Sequence, residues 1–178
     1  MDKTKPQSII LIGYRATGKS SLGRLLSREL NLPLVDTDAL VEERYGKTIQ
    51  SMFADEGESV FRDREAALVA ELAGANEPMI LSTGGGVPLR EESRKYLKNM
   101  GFVVWLRASR ETIFARMNGD DSNESRRPPL TDLKPLQEID AVLAVRNSLY
   151  QETAHLTLKT DQCSLDELAH EIIRNLPQ

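Results

Sequence analysis

Residues 13–20 read Gly13-Tyr14-Arg15-Ala16-Thr17-Gly18-Lys19-Ser20, a full match to G-x-x-x-x-G-K-[ST]. Glycines let a backbone turn sharply, so that several N–H groups converge on one anion. A helix starting at the end of such a loop adds the positive end of its dipole. The lysine then reaches the β- and γ-phosphates of a nucleoside triphosphate, and the final hydroxyl takes Mg²⁺. A plain glycine turn with an exposed lysine is the alternative. The context argues against it, because an apolar run precedes the loop and leucines at helical spacing follow it.

Other charged residues fall in patterns that suit transfer of the phosphoryl group. Asp36 and Asp38 lie two apart at the end of a short apolar run. In a strand that spacing sends both side chains to one side. One carboxylate can then hold the metal's waters while the other accepts a proton from an attacking hydroxyl. An aspartate before Ala39-Leu40-Val41 also suits a helix cap. Arg62 and Glu65 are three apart on a predicted helix, so they can pair and fix a guanidinium as a carboxylate clamp. Spacing alone fits a surface ion pair at least as well. Thr83-Gly84-Gly85-Gly86 follows another apolar run, where open α/β sheets bind ligands and where glycine admits close approach to the backbone. A flexible turn is the other reading. Arg126-Arg127, before Pro128-Pro129, end a polar stretch and could fold over a triphosphate; an exposed basic loop fits equally. Arg116 and Arg146 carry no local signature, and a single helical arginine is more often a solvated surface residue.

The elements that must position these groups follow from periodicity. Apolar runs at 8–12, 34–35, 79–81, 102–106 and 155–158 read as strands. Leu22, Leu25, Leu26 and Leu30 mark the helix after the phosphate loop, and a helix after Asp38 stops at Gly46. Further helices are predicted over 60–73, 91–99, 109–117 and 137–150. A final helix, with Leu165, Leu168, Ile172 and Leu176 on its face, opens with Ser164 and Glu167 in capping-box spacing. Residues 118–125 lack an apolar period and read as a mobile loop. Strands alternating with helices predict an α/β fold in which a five-stranded parallel sheet is covered on both faces.

Composition narrows the class further. The 178 residues suit one domain, and a net charge of −4 gives no support to nucleic-acid binding. No apolar run approaches the ~18 residues of a membrane span. The polar start does not read as a secretory signal, so a cytoplasmic protein is expected. Cys163 is the only cysteine, which leaves no intramolecular disulfide or cysteine metal cluster.

With these segments placed, the sequence resembles the shikimate kinase family from Ser8 to about Leu176. The resemblance rests on the phosphate loop, Leu34-Val35-Asp36-Thr37-Asp38, Gly57-Glu58-Ser59-Val60-Phe61-Arg62, Leu81-Ser82-Thr83-Gly84-Gly85-Gly86, Arg127-Pro128 and Arg146-Asn147-Ser148-Leu149-Tyr150. It implies a three-layer α/β/α P-loop fold, nucleoside-monophosphate-kinase-like, as a single kinase domain over 1–178. A mobile lid is expected at about 117–130 and a substrate-binding helical segment at about 38–73. The implied reaction is ATP-dependent phosphorylation of the shikimate 3-hydroxyl to give shikimate 3-phosphate and ADP, a step toward chorismate and the aromatic amino acids.

Carried over by position, the resemblance gives ATP to Gly13, Ala16, Thr17, Gly18, Lys19, Ser20 and Ser21, with Arg116 stacked on adenine and Arg127 on the phosphates. Ser20 holds Mg²⁺ directly and Asp36 holds it through water. Shikimate falls to Asp38, Arg62, Gly84, Gly85, Gly86 and Arg146, the two arginines binding its carboxylate and Glu65 orienting Arg62. Asp38, Lys19 and Arg127 are the expected catalytic groups, with Asp38 as the base. ATP and shikimate are the expected partners of a monomer that binds neither nucleic acid nor membrane. Three features depart from the family pattern. Ala16 stands where glycine or another small residue is frequent, and its methyl is expected to be tolerated. Asp120, Asp121 and Glu124 put acid in the lid, where they are expected to face solvent. The doublet Arg126-Arg127 leaves two candidates, of which Arg127 directly precedes proline. Another small-metabolite kinase of this fold, such as a gluconate kinase, need not use both arginine clamps. A regulatory nucleotide-binding protein would show damage at Asp38, Arg62 or the glycine run, and none is visible.

Overall fold

Apolar runs without polar alternation are what a strand needs when helices cover both of its faces. The computed structural model, which describes residues 7–119 and 133–177, has five strands, β1 (Ser8–Ile12), β2 (Leu34–Asp36), β3 (Ile80–Ser82), β4 (Gly101–Arg107) and β5 (Leu156–Lys159), of which the edge strand β5 alternates apolar and polar. All pairings are parallel, in the order β2-β3-β1-β4-β5. The helices are α1 (Lys19–Leu30), α2 (Thr37–Tyr45), α3 (Ile49–Glu56), α4 (Glu58–Ala75), α5 (Glu91–Met100), α6 (Arg110–Gly119), α7 (Pro135–Thr153) and α8 (Leu165–Asn175).

Successive residues of β1 serve opposite layers. Ile9 and Leu11 pack with Leu22 and Leu26 of α1 and Leu168 and Ile172 of α8. Ile10 and Ile12 pack with Val69 of α4, Leu97 of α5 and Tyr150 of α7. Each of these fully buried Ile and Leu side chains contributes roughly 1.5–3 kcal/mol through removal from water. The two layers fix the sheet, and the sheet delivers the carboxyl ends of β1, β2 and β3 to one rim. From that rim emerge Gly13, Asp36 and Thr83.

The structure adds one helix that the sequence pattern does not reveal. α3 has two buried residues, Ile49 and Met52, too few to show a period. It is nonetheless capped, Thr48 Oγ1 accepting the Ser51 N–H at 3.1 Å, and it ends at Gly57, where α4 begins. Its apolar residues join Val41, Phe61 and Leu68 in a core separate from the two that flank the sheet. A second difference concerns the polar stretch expected as a loop from residue 118: Asn118 and Gly119 still belong to α6. The rest of that stretch, Arg126, Arg127 and the expected lid beyond residue 119 lie outside the described residues.

At the start of α8 the capping box is present, Ser164 Oγ accepting the Glu167 N–H and Glu167 accepting the Ser164 N–H. Loss of such a cap costs about 1 kcal/mol. We predict that Ser164→Ala lowers the urea midpoint by that amount with the m-value unchanged.

Candidate active site

The phosphate loop takes its shape from three left-handed or unusual backbone positions. Gly13 has φ +142°, and a Cβ there would lie 2.4 Å from the Leu106 carbonyl oxygen, so only glycine lets the chain leave β1 against β4. Gly18, at φ 96°, caps α1 without a side-chain hydrogen bond, which leaves the helix's first N–H groups turned toward an anion. Ala16 sits at φ 60°. Its methyl is accommodated, but the left-handed conformation costs a non-glycine residue on the order of 1 kcal/mol. Lys19 is buried and donates to the carbonyls of Gly13 (3.0 Å) and Tyr14 (2.8 Å), which holds its ammonium inside the curl of the loop.

Asp36 does two things at once. Its Oδ1 accepts the N–H groups of Asp38 and Ala39, capping α2, while Oδ2 accepts from Ser20 Oγ at 3.1 Å. The helix cap is therefore present at this residue, and the same carboxylate also meets the phosphate-loop hydroxyl. The strand argument for the pair is not: β2 ends at Asp36, and Asp38 lies in the first turn of α2. Helix geometry, not pleat, turns Asp38 toward the neighbouring pocket. Ser82 Oγ, 3.5 Å from Ser20 Oγ, joins this group from the end of β3 and had no signature of its own in the sequence.

Beyond Asp38 lies a pocket lined by Asp38, Arg62, Glu65, Gly85, Gly86, Arg146 and apolar residues of α3 and α4. Arg62 is held on three sides. Nη1 donates to Glu65 at 2.8 Å, while Nε and Nη2 donate to Glu58 at 3.1 and 2.9 Å. The guanidinium also lies 5.1 Å from the Phe61 ring centroid. The Arg62 and Glu65 side chains are only 13% and 3% exposed, so this is not the surface ion pair that spacing alone allowed. Glu58 went unremarked, although a glutamate four residues before an arginine is a favoured helical pair. Burial pushes the Glu65 carboxyl above its ordinary range, against the pull of Arg62.

The glycine run is packed by function-bearing side chains rather than left flexible. A Cβ at Gly84 would lie 2.6 Å from both Asp38 Oδ1 and Glu65 Oε1, and one at Gly86 would lie 2.0 Å from Arg62 Nη1. Tyr150 donates to the Gly85 carbonyl at 2.6 Å, and burial raises its phenol to about 12. Arg146, read from sequence alone as a surface residue, is 7% exposed on α7 and faces Gly85. No ion pair joins it to any described residue. A guanidinium buried without a carboxylate carries a desolvation penalty of several kcal/mol, which an entering anion would relieve.

Two further arginines bind loops together. Arg15, which no pattern singled out, projects from the phosphate loop into the same pocket and pairs with Glu138 of α7. Arg116 donates to the Thr160 hydroxyl (3.0 Å) and carbonyl (2.7 Å) and to the Ala16 carbonyl (3.4 Å), so it too is no free surface residue. Asp161 next to it accepts the Ser109 N–H at 2.8 Å, which lowers its pKa. The two halves of the site are thus an anion cradle with oxygen donors beside it, and a pocket of fixed cations facing an aspartate. The Ser20 hydroxyl and Asp36 carboxylate are hard oxygen donors of the kind Mg²⁺ takes together with phosphate and water.

The chain is similar to known proteins over nearly its whole length. The family model described as shikimate kinase matches residues 15–177. A shikimate kinase of Rhodopirellula baltica is 40% identical over 99% of this chain and 94% of its own. One from Symbiobacterium thermophilum is 42% identical over 96% and 97%. The structure of Acinetobacter baumannii shikimate kinase in complex with shikimate superposes with a TM-score of 0.86 at 34% identity, covering 95% of this chain and 92% of that one.

The double duty of Asp36 yields a test. Asparagine caps a helix as well as aspartate, whereas alanine does not. Asp36→Ala is expected to lose about 1 kcal/mol of stability in urea unfolding, and Asp36→Asn a small fraction of that, although both remove the charge beside Ser20.

Proposed function

The chain belongs to the shikimate kinase family and is an ATP-dependent phosphotransferase acting on a shikimate hydroxyl, and we propose that it binds the acceptor in the Arg62–Arg146 pocket and phosphorylates it at the 3-hydroxyl. One observation carries the site assignment: Arg146, buried and in no ion pair with any described residue, lines the same small pocket as Asp38 and the glycine run. A ring bearing one carboxylate and several hydroxyls matches that set. Its carboxylate would complete the charge of Arg146 and share Arg62, while its hydroxyls meet Asp38 and the backbone of Gly84, Gly85 and Gly86.

In this reading ATP occupies the cradle of Gly13, Ala16, Thr17, Gly18, Lys19, Ser20 and Ser21, with adenine against Arg116. Mg²⁺, held by Ser20 and by Asp36 through water, supplies charge neutralisation at the phosphates when bound. Asp38 accepts the proton of the 3-hydroxyl as its oxygen bonds to the γ-phosphorus and the bond to the bridging oxygen of ADP breaks. Lys19 and Arg127 bear the developing negative charge. Positioning and electrostatics account for most of such a barrier reduction. Arg127 acts from a lid at about 117–130, and residues 38–73 form the substrate-binding segment. The same reading has a monomer in the cytoplasm, working without nucleic-acid or membrane partners. A net charge of −4 supports it, as does the lack of any described helix long and apolar enough to cross a membrane.

The pure protein with ATP, Mg²⁺ and shikimate should release ADP only when shikimate is present; shikimate-independent or absent ADP release by folded protein would sink the reading. Chelation by EDTA should abolish the activity and added Mg²⁺ restore it. Arg146→Ala should raise the KM for shikimate ~10- to 100-fold, the worth of a charged hydrogen-bonded pair, with the KM for ATP changed less than threefold. Equal losses for the two substrates would contradict the clamp. Gly86→Ala tests the same pocket from the backbone side. Its methyl would press on the guanidinium that Glu58 and Glu65 hold, so the thermal midpoint should fall and the KM for shikimate should rise more than that for ATP.

A further inference from the structure

A second groove, of about 550 Å³, runs along the other side of the sheet's carboxyl edge, between the ends of β4 and β5 and the flank of α7. It touches the back of the phosphate loop at Tyr14 and Thr17 but includes none of Lys19, Ser20, Arg62, Arg116 or Arg146. Its size falls in the range of small-molecule sites.

Its charges are arranged against the ordinary logic of a sheet. Arg107 ends β4 and Lys159 ends β5, and the two are register partners on adjacent parallel strands. Register partners send their side chains to the same face, and like charges placed so destabilise the pair. Neither cation makes an ion pair with any described residue. The acids nearby are engaged elsewhere: Asp140 pairs with Arg110, and Asp161 accepts from the Ser109 N–H. Trp105, two residues before Arg107 on the same face, lines the groove, with the Arg107 guanidinium 5.5 Å from its ring centroid. Leu143 and Asn147 of α7 complete the opposite wall.

We propose that Arg107 and Lys159 form a binding site for a small phosphomonoester, separate from the transfer pocket. A planar guanidinium fork beside an ammonium matches the oxygens of a phosphate dianion, and binding it would turn the repulsion between the two cations into shared attraction. The wall formed by Trp105 and Leu143 gives the organic body of such a molecule an apolar surface. Carboxyl ends of parallel strands are where open α/β sheets take their ligands. The β4–β5 end is used here in addition to the β1–β3 end.

Trp105 is the only tryptophan in the chain, so its fluorescence reports on this groove directly. Phenyl phosphate is the probe, titrated into the full-length protein, into the same protein saturated with ATP, and into the Lys19→Ala variant. The expected result is a saturable change in emission at millimolar or lower concentration in all three. Arg107→Gln and Lys159→Gln, both at exposed positions, should each weaken it at least tenfold. A rise in thermal midpoint with ligand should follow the same order. Emission that changes without saturating, or that saturates in both glutamine variants at the same concentration as in the unmodified protein, overturns the proposal. So does loss of the signal on adding ATP, which would make the groove part of the nucleotide site. Shikimate-dependent ADP release does not enter these readouts, so failure here leaves the transfer reading standing, and the reverse.

Discussion

A guanidinium taken out of water has to be met by negative charge, and this protein buries three of them around one small pocket. Arg62 is met in full by Glu58 and Glu65 on its own helix, and Arg15 is met by Glu138 from α7. Arg146 is met by neither. The surrounding structure follows from that distribution. α4 must bring two glutamates to one side of Arg62, and α7 must carry both Glu138 and Arg146 past the phosphate loop. The Gly84–Gly86 backbone must remain bare so that these side chains can press against it. Among the described residues, Arg146 is the charge left over after internal pairing, and the proposed anionic acceptor would meet it.

Burial on both faces governs the rest. A parallel sheet covered by helices allows no polar residue in the middle of β1, so everything reactive is pushed to the strand ends. The chemistry therefore collects where Gly13, Asp36, Ser82 and Thr83 emerge, on loops and first helical turns held by a rigid support. Asp36 shows the economy of this: one carboxylate ends a strand, starts a helix and meets the Ser20 hydroxyl.

Local signals made much of this legible beforehand. Continuous apolar runs gave away the inner strands and alternation the edge strand β5, and the phosphate loop announced itself by spacing. Residues whose partners are near in sequence, such as Arg62 with Glu65 or Ser164 with Glu167, could be paired in advance. What stayed hidden depended on distance along the chain. Arg146, Arg116 and the Arg15–Glu138 pair draw their roles from contacts 44 to 123 residues away, which periodicity cannot express. α3 escaped for a different reason, being too short to display a period. Asp38 lines the pocket from the first turn of α2 and not from a strand, since a strand and a first helical turn can aim the same residue alike. The resemblance to a known family supplied these long-range placements because it carries tertiary information that a single sequence read locally does not.

The small core formed by Val41, Met52, Phe61 and Leu68 has a consequence of its own. α2 and α3 pack on one face of α4, which also reaches the sheet's core through Val69, and α3 and α4 meet at Gly57, whose φ of 86° breaks the helical path between them. A segment with its own core and a joint within it is a separate cooperative unit, able to open at a lower free energy than the sheet it borders. Hydrogen exchange would register that as amides of α2 and α3 exchanging together while those of β1 stay protected. Asp38, in the first turn of α2, thus belongs to a segment whose small core is separate from the two that flank the sheet, while Arg62 on α4 is anchored to both.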